Sequence, residues 1–185
     1  MTRTFRFMRH GATELNLRGL RCGGDVDVEL SDVGRAQAFD AAEQIRAMKP
    51  GIKLIVASGL MRARDTARIL STALGGLPIV IEPLLNERHL GDWNSRPIAE
   101  TEALLARNAA PPGGETEEAI VARVASALEK LRPQLGREAL VVGSRGVGRV
   151  LNALLGGAGR LNLEPGEIVQ FAPASDANTR LCSAQ

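Results

Sequence analysis

The feature that most constrains the fold is a regular alternation of short apolar runs with longer amphipathic segments. The apolar runs are typical of buried strands, and they lie at 5–8, 53–57, 79–81, 139–142 and 168–171. The amphipathic segments have helical periodicity, and they lie at 31–48, 61–74, 98–107, 116–131 and 146–154. Such an alternation is typical of a mostly parallel sheet covered by helices. We therefore predict an α/β fold, a three-layer α/β/α sandwich whose last strand lies at an edge of the sheet.

Length and composition indicate one domain without a nucleic-acid or membrane partner. The chain has 185 residues, of which 44% are apolar, 24% charged and only 3% aromatic, and its net charge is +2. Few aromatic side chains are available to stack on bases, and no apolar run approaches the ~20 residues of a membrane span. We predict a single domain over 1–185, with an excursion at about 88–114 that forms the rim of the site. The oligomeric state is left open.

The cysteine pattern indicates the compartment. Cys22 and Cys182 lie far apart in the chain and form no CxxC pair. Since the arginine-containing N-terminus carries no secretory signature, we interpret both as free thiols in a reducing compartment. The predicted location is the cytoplasm.

A short polar motif follows the first apolar run. Arg9, His10 and Gly11 stand where an open α/β sheet places its ligands, just beyond the carboxyl end of a strand. An imidazole can attack phosphorus, and a guanidinium can hold phosphate oxygens with two parallel hydrogen bonds. The motif indicates phosphoryl chemistry, and a surface histidine and arginine at a strand end are the alternative.

Polar segments also follow the next three predicted strands, and they contain Arg62, Glu87 and Arg145. The carboxyl ends of parallel strands meet at one edge of a sheet, so we expect these side chains to converge with His10. Arginines and helix N-termini together favour an anion, and the single carboxylate is a candidate proton donor. Solvated cations and a surface carboxylate are the simpler alternative.

Several motifs in this order resemble those of the histidine phosphatase superfamily, the phosphoglycerate mutase-like enzymes, and in particular its smaller phosphatases. They are MRHGATELN at 8–16, GGDVDVELS at 23–31, ASGLMRA at 57–63, LNERHLGDW at 85–93 and GGET at 113–116. Glycine stands at position 59, where the family usually has proline. The resemblance covers nearly the whole chain and implies the phosphoglycerate mutase-like fold.

The resemblance also implies roles for individual residues. His10 is the nucleophile and becomes transiently phosphorylated, while Arg9 and Arg62 hold the phosphoryl oxygens with Asn16 nearby. Glu87 protonates the leaving alcohol and then helps water attack the phosphohistidine. Neighbouring cations keep the imidazole neutral and neutralise charge on the equatorial oxygens. No metal or cofactor is implied, and the acidic loop at 25–29 lacks the spacing of an EF-hand and is interpreted as solvated.

The chain departs from the family pattern at the second catalytic histidine, which follows the fourth strand in a segment of the type VV(S/G)HG. Here the segment reads LVVGSRGVGR at 140–149, so the histidine position falls on Ser144, or on Arg145 after a one-residue shift. Ser144 can donate a neutral hydrogen bond and Arg145 can supply charge, so both are candidate phosphate-binding residues. Removing one such charged donor typically lowers the rate by about 10²–10³.

These observations predict a metal-independent phosphomonoester hydrolase of a small phosphorylated metabolite, slowed by the exchange at Ser144. The alternative is a non-catalytic phosphate-binding or regulatory pseudophosphatase, whose ligand is such a metabolite or inorganic phosphate. A phosphoglycerate mutase is a further alternative, although this chain is short for the additional segments of mutases. Arg18, Arg21 and Arg88 are candidate cations for a second anionic group, or else solvated surface arginines.

Overall fold

The computed structural model describes residues 4–136 and 138–172. One five-stranded sheet is formed by β1 (Phe5–Arg9), β2 (Leu54–Ala57), β3 (Ile79–Ile81), β4 (Ala139–Gly143) and β5 (Ile168–Phe171). The strand order is β3-β2-β4-β1-β5, in which β5 alone runs antiparallel to its neighbour. The predicted mostly parallel sheet with an edge strand at 168–171 is thereby confirmed, whereas Cys182 lies outside the described residues.

The predicted helices form at nearly the predicted positions. They are α1 (Glu14–Leu17), α2 (Asp32–Ala47), α3 (Met61–Ala73), α4 (Ile98–Ala106), α5 (Glu117–Leu131) and α6 (Arg145–Leu154). The short α1, which the apolar pattern did not predict, begins with a capping box in which Thr13 and Asn16 bond each other's backbone N–H. Within the described residues, no helix is long and apolar enough to cross a bilayer.

Two hydrophobic cores lie on opposite faces of the sheet, because successive residues of a strand point to opposite sides. Phe7 and Val141 pack on one face with α5 and α6. Met8 and Val142 pack on the other face with α2 and α3. Helices therefore cover both faces, as the predicted three-layer α/β/α sandwich requires.

The carboxyl ends of the three central strands lie side by side. The N–H of His10, after β1, donates to the carbonyl of Gly143 at 2.9 Å, and the N–H of Ser58, after β2, donates to that of Val142 at 3.0 Å. Since β4 lies between β1 and β2, Ser144 follows the central strand between these two neighbours. The sheet thus brings residues from three distant parts of the sequence to one edge.

Candidate active site

The imidazole of His10 is buried, with 3% of the residue exposed. Its Nδ1 lies 2.7 Å from the carbonyl oxygen of Gly11, and its Nε2 lies 3.2 Å from Nε of Arg62. A carbonyl can only accept and a guanidinium can only donate, so the proton belongs on Nδ1 and the lone pair on Nε2. Burial and the charges of Arg62 and Arg9 lower the pKa of His10 well below its usual value. The imidazole is therefore neutral at pH 7.

Arg62, the second residue of α3, is 1% exposed and is held by a loop from another part of the chain. Its Nη1 donates to the carbonyl of Val26 at 2.9 Å, and its Nη2 donates to that of Gly23 at 3.1 Å. The alternative of a solvated cation is wrong, because these carbonyls and His10 surround the guanidinium. The arrangement fixes its Nε–H toward Nε2 of the imidazole.

The acidic loop that supplies these carbonyls is itself anchored. The carboxylate of Asp25 accepts from the N–H of Leu90 at 3.0 Å and from that of Gly91 at 2.8 Å. The carboxylate of Asp27 accepts from the N–H of Met61 at 2.7 Å, at the first turn of α3. Both residues are nevertheless exposed, so the segment is solvated as interpreted, and these hydrogen bonds fix its position. In the described ranges, no three His, Cys, Asp or Glu side chains group as metal ligands.

Arg9 is the last residue of β1 and is buried beside His10. Its Nη1 donates to the carbonyl of Leu163 at 2.8 Å. Burial and the charge of Arg145 lower the pKa of Arg9 to about 10, so its guanidinium stays charged at pH 7. Its Nε is buried without a hydrogen-bond partner among the described residues, which leaves a donor for an anion.

Glu87 lies beside the N-terminus of α6. Its Oε2 accepts from the N–H of Gly146 at 2.9 Å, and its Oε1 accepts from the N–H of Arg88 at 2.7 Å. A Cβ atom at position 146 would come within 2.1 Å of Oε1. The glycine therefore makes room for the carboxylate against the helix.

Two further contacts that the sequence did not indicate hold the segment before Glu87. The N–H of Gly59 donates to Oδ1 of Asn86 at 2.7 Å, a bond that a proline at position 59 could not make. Arg123, on α5, donates to the carbonyls of Leu84 at 2.9 Å and Asn86 at 2.6 Å. The backbone that leads to Glu87 is thereby tied to α5 and to the loop before α3.

Ser144 and Arg145 lie at the junction of β4 and α6. Ser144 is 2% exposed, and its Oγ makes no hydrogen bond to any residue that the structure describes. Nη2 of Arg145 lies 3.9 Å from Oε1 of Glu164, a carboxylate whose side chain is 70% exposed. A buried hydroxyl without a partner among the described residues is thus next in sequence to a weakly paired guanidinium, whose charge lowers the pKa values of His10 and Arg9.

A cavity of about 460 Å³ opens beside these groups. Among the predicted site residues, its lining includes Arg9, Asn16, Glu87 and Arg145. The other three predicted site residues, His10, Arg62 and Ser144, are buried and do not belong to the lining. His10 and Ser144 are next in sequence to the lining residues Arg9 and Arg145. The Oδ1 of Asn16 accepts from the N–H of Thr13 at 3.1 Å in the capping box. Residues of the 88–114 excursion supply part of the wall.

The cavity is also lined by arginines other than Arg9 and Arg145. Arg21 and Arg88 line it, but both are buried and paired with carboxylates, so neither is a solvated surface arginine. Arg18 is absent from the lining. Arg149 and Arg160 line the cavity too. The spacing of Arg149 four residues after Arg145 on a helix was an available signal, whereas no local pattern indicated Arg160.

Comparisons with known proteins identify chains of similar sequence and fold. The chain is 44% identical over 118 residues to glucosyl-3-phosphoglycerate phosphatase of Mycolicibacterium vanbaalenii, covering 59% of this chain and 51% of that one. The chain thus spans about half the length of this curated relative. The crystal structure of TTHB049 from Thermus thermophilus superposes with a TM-score of 0.77 at 28% identity, covering 97% of this chain and 99% of that one.

A second solved structure is that of mycobacterial glucosyl-3-phosphoglycerate phosphatase Rv2419c in complex with VO3. It superposes with a TM-score of 0.76 at 31% identity, covering 91% of this chain and 90% of that one. The family model of the histidine phosphatase superfamily (branch 1) matches residues 5–175. This chain therefore belongs to the histidine phosphatase superfamily.

Proposed function

We propose that this chain is a phosphomonoester hydrolase that works through a phosphohistidine on Nε2 of His10. The observation that carries the proposal is the orientation of the imidazole. Its Nδ1–H is held by the Gly11 carbonyl at 2.7 Å, so the lone pair of Nε2 remains for attack. Two of the proteins named above are glucosyl-3-phosphoglycerate phosphatases, which supports the same reaction class.

In the first half of the proposed reaction, Nε2 of His10 attacks phosphorus and the ester P–O bond breaks. The leaving alkoxide takes a proton from the carboxylic acid of Glu87. Arg62 now donates its Nε–H to Nε2 at 3.2 Å, and it would transfer this hydrogen bond to a phosphoryl oxygen as the lone pair is used. Together with Arg9 it would neutralise the negative charge on the equatorial oxygens.

In the second half, water attacks the phosphohistidine while the carboxylate of Glu87 takes a proton from it. The P–N bond breaks, the imidazole leaves as a neutral group, and inorganic phosphate is released. The pKa of His10, lowered by burial and by the nearby arginines, favours this neutral leaving group. The same residue thus acts as acid and then as base.

The exchange at position 144 sets the rate that we expect. A hydroxyl donates one neutral hydrogen bond, and such bonds are weaker than those from a charged donor. Arg145 adds positive charge to the wall of the cavity. Its guanidinium is close enough to lower the pKa values of both His10 and Arg9. We therefore propose a slow hydrolase in which Arg145 partly replaces the missing imidazole.

The second candidate function is a phosphate-binding pseudophosphatase, and the observation that favours it is the buried Oγ of Ser144. This hydroxyl has no partner among the described residues, so an anion could satisfy it without any chemistry. Glu87 separates the two functions, because a protein that only binds phosphate does not require a proton donor. The substrate class that we propose is a small phosphorylated metabolite. The cytoplasmic location stays a prediction.

The test is hydrolysis of p-nitrophenyl phosphate by the wild type, His10→Ala and His89→Ala, each with and without EDTA. His89 is the chain's other histidine and is exposed, so it is a matched control. We expect turnover in the wild type and His89→Ala that EDTA leaves unchanged, and none in His10→Ala. An acid-labile phosphoryl adduct after rapid quenching should appear in the same two proteins.

Each result has a distinct meaning. The wild type could show no turnover and yet bind inorganic phosphate in calorimetry, with weaker binding in His10→Ala. This result would contradict the hydrolase and support the phosphate-binding function. Loss of activity in EDTA would contradict metal independence alone. Equal turnover in His10→Ala and the wild type would contradict a phosphohistidine intermediate on His10.

A further inference from the structure

The cavity carries more positive charge than one phosphoryl group requires. The charged side chains in its lining are Arg9, Arg21, Arg88, Arg145, Arg149 and Arg160 against Glu87 and Glu117. Arg9 and Arg145 lie at the end where the phosphoryl group would be held. Only the carboxylates of Glu102 and Glu117 form ion pairs with the remaining four arginines among the described residues.

Two of these arginines are used within the fold. Nη1 of Arg88 lies 2.9 Å from Oε2 of Glu117, and its other nitrogens donate to backbone carbonyls. Nη2 of Arg21 lies 2.6 Å from Oε2 of Glu102, while its Nε donates to Oγ1 of Thr101 at 2.7 Å. Both guanidinium groups are buried in these contacts, so neither is available to a ligand without breaking an ion pair.

The other two arginines share a carboxylate that is already paired. Oε1 of Glu102 lies 2.9 Å from Nη1 of Arg160 and 3.6 Å from Nη2 of Arg149. One negative charge thus serves three positive charges, those of Arg21, Arg149 and Arg160. Burial and the charge of Arg160 lower the pKa of Arg149 from its usual value, as expected for two cations without a full complement of anions.

The position of these cations fixes the geometry of a ligand. Arg145 and Arg149 are four residues apart on α6, so they lie on the same face, separated by about 6 Å along the helix axis. Apolar side chains, Val150 and Leu161 among them, line the cavity near the second position. A ligand that places its phosphoryl group at Arg9 and Arg145 would reach Arg149 about one helical turn further on.

We infer that Arg149 and Arg160 form a second anion subsite, which binds a carboxylate or phosphate at the non-reacting end of the substrate. This inference rests on the proposed function for the orientation of the substrate. The substrate class is accordingly a phosphomonoester with a second anionic group, and esters that lack one are poorer substrates. A flexible charged group at this position would compete with Glu102 for the two guanidinium groups.

The test compares substrates that differ only in the second anion. The carboxylate pair is glycerol 3-phosphate and 3-phosphoglycerate, and the phosphate pair is fructose 6-phosphate and fructose 1,6-bisphosphate. The readout is the ratio of kcat/KM within each pair, since a general effect of a substitution cancels in the ratio. The proteins are the wild type, Arg149→Met, Arg160→Met and the control Arg68→Met, an exposed arginine paired with Asp65 on α3.

We expect the wild type to prefer the doubly anionic member of at least one pair by roughly 10- to 100-fold, as charge-assisted hydrogen bonds allow. Arg149→Met and Arg160→Met should each reduce that ratio, whereas Arg68→Met should keep it. The pair that responds distinguishes a carboxylate from a phosphate. A wild-type ratio near one in both pairs, or ratios that survive in both methionine variants, would overturn the subsite.

If the wild type shows no turnover, calorimetry measures the dissociation constants of the same four compounds instead. A preference in affinity that Arg149→Met and Arg160→Met reduce would sustain the subsite and contradict the hydrolase. The absence of any preference in affinity would overturn the subsite as well. The two proposals therefore fail separately.

Discussion

Nη2 of Arg123 donates to the carbonyl oxygen of Glu87 at 3.0 Å. A side chain of α5 thereby holds the backbone of the residue to which we assign proton transfer. The same guanidinium pairs with both carboxylate oxygens of Glu115, at 2.7 Å from Nε and 2.7 Å from Nη2. The planar fork of arginine is thus bound on several sides at once.

Arg123→Met should misplace the carboxylate of Glu87, although Arg123 touches no reacting atom. We expect kcat for an alkyl phosphate to fall by up to about 100-fold, the cost of a small misplacement in a catalytic group, with KM little changed. Arg123→Lys should restore only part of kcat, since an ammonium cannot reproduce the fork. Steady-state kinetics with glycerol 3-phosphate measures both, and a change confined to KM would contradict a positioning role.

Glu87→Gln should slow esters with poor leaving groups more than activated aryl esters. An alkoxide needs a proton as the P–O bond breaks, whereas p-nitrophenolate leaves without one. The measurement is the ratio of kcat for glycerol 3-phosphate and p-nitrophenyl phosphate in the variant and the wild type. Equal losses on both substrates would remove Glu87 from the acid role.

Gly146→Ala should impair catalysis without unfolding the protein. The new Cβ would come within 2.1 Å of Oε1 of Glu87, the end of a movable side chain, so the carboxylate must shift. Gly148→Ala on the same helix is the matched contrast, because its Cβ would meet the Phe7 ring at 3.0 Å in the core. Overpacking there should cost about 1–3 kcal/mol.

Melting temperatures and alkyl phosphatase activity, measured on both alanine variants, separate the two effects. Gly146→Ala should keep its melting temperature and lose activity, and Gly148→Ala should show a lowered melting temperature. A stable and fully active Gly146→Ala would show that Glu87 does not need its position beside the N-terminus of α6 for catalysis.

Ser144→His should raise turnover by roughly 10²–10³, the usual contribution of one charged or well-aligned donor in such a site. Ser144→Ala is the control for the serine itself. The Oγ of Ser144 makes no capping bond to α6, so its removal should leave stability nearly unchanged. Hydrolysis of p-nitrophenyl phosphate is the assay, and no gain in Ser144→His would contradict the alignment of this position with the second histidine.

The stability of the protein should depend on pH through His10. Its pKa in the folded state lies well below the usual value, chiefly because of burial and the charge of Arg62. Below about pH 6.5 the unfolded chain takes up a proton at His10, and the folded protein does not. The free energy of unfolding should therefore fall as the pH decreases from 6.5, by up to about 1.4 kcal/mol per pH unit from this residue.

Urea unfolding of the wild type and His10→Asn between pH 7.5 and 5.5 measures this effect. Above pH 6.5 the residue contributes no pH dependence, so the two profiles should run parallel there and diverge below. Profiles that stay parallel over the whole range would mean that the folded imidazole titrates normally.

Much of the fold could be predicted because its signals are local. The period of apolar residues and caps such as Ser31 and Thr116 located five helices within one residue of their observed ends. The four-residue α1 escaped this approach, since a single turn has no apolar period. Its local signal is the capping pair Thr13 and Asn16, whereas the family resemblance indicates only a phosphate-binding role for Asn16.

The site could be predicted only where motifs carried it. The burial of Arg62 depends on carbonyls 36–40 residues away in the chain, so no local pattern distinguishes it from a solvated arginine. Asp25 likewise accepts hydrogen bonds from N–H groups 65 and 66 residues further along the chain, and no local pattern indicates these contacts. Glu102 and Arg160 meet across still other elements, and their pairing follows from tertiary structure alone.

The location of Ser144 has a consequence for experiments with altered side chains. The central strand of the sheet, rather than any contact of its hydroxyl, fixes where this residue stands. Position 144 therefore suits a graded series of non-natural imidazoles that differ in basicity. Each would report, on one unchanged scaffold, how a proton donor's acidity converts into the lifetime of a phosphorylated histidine.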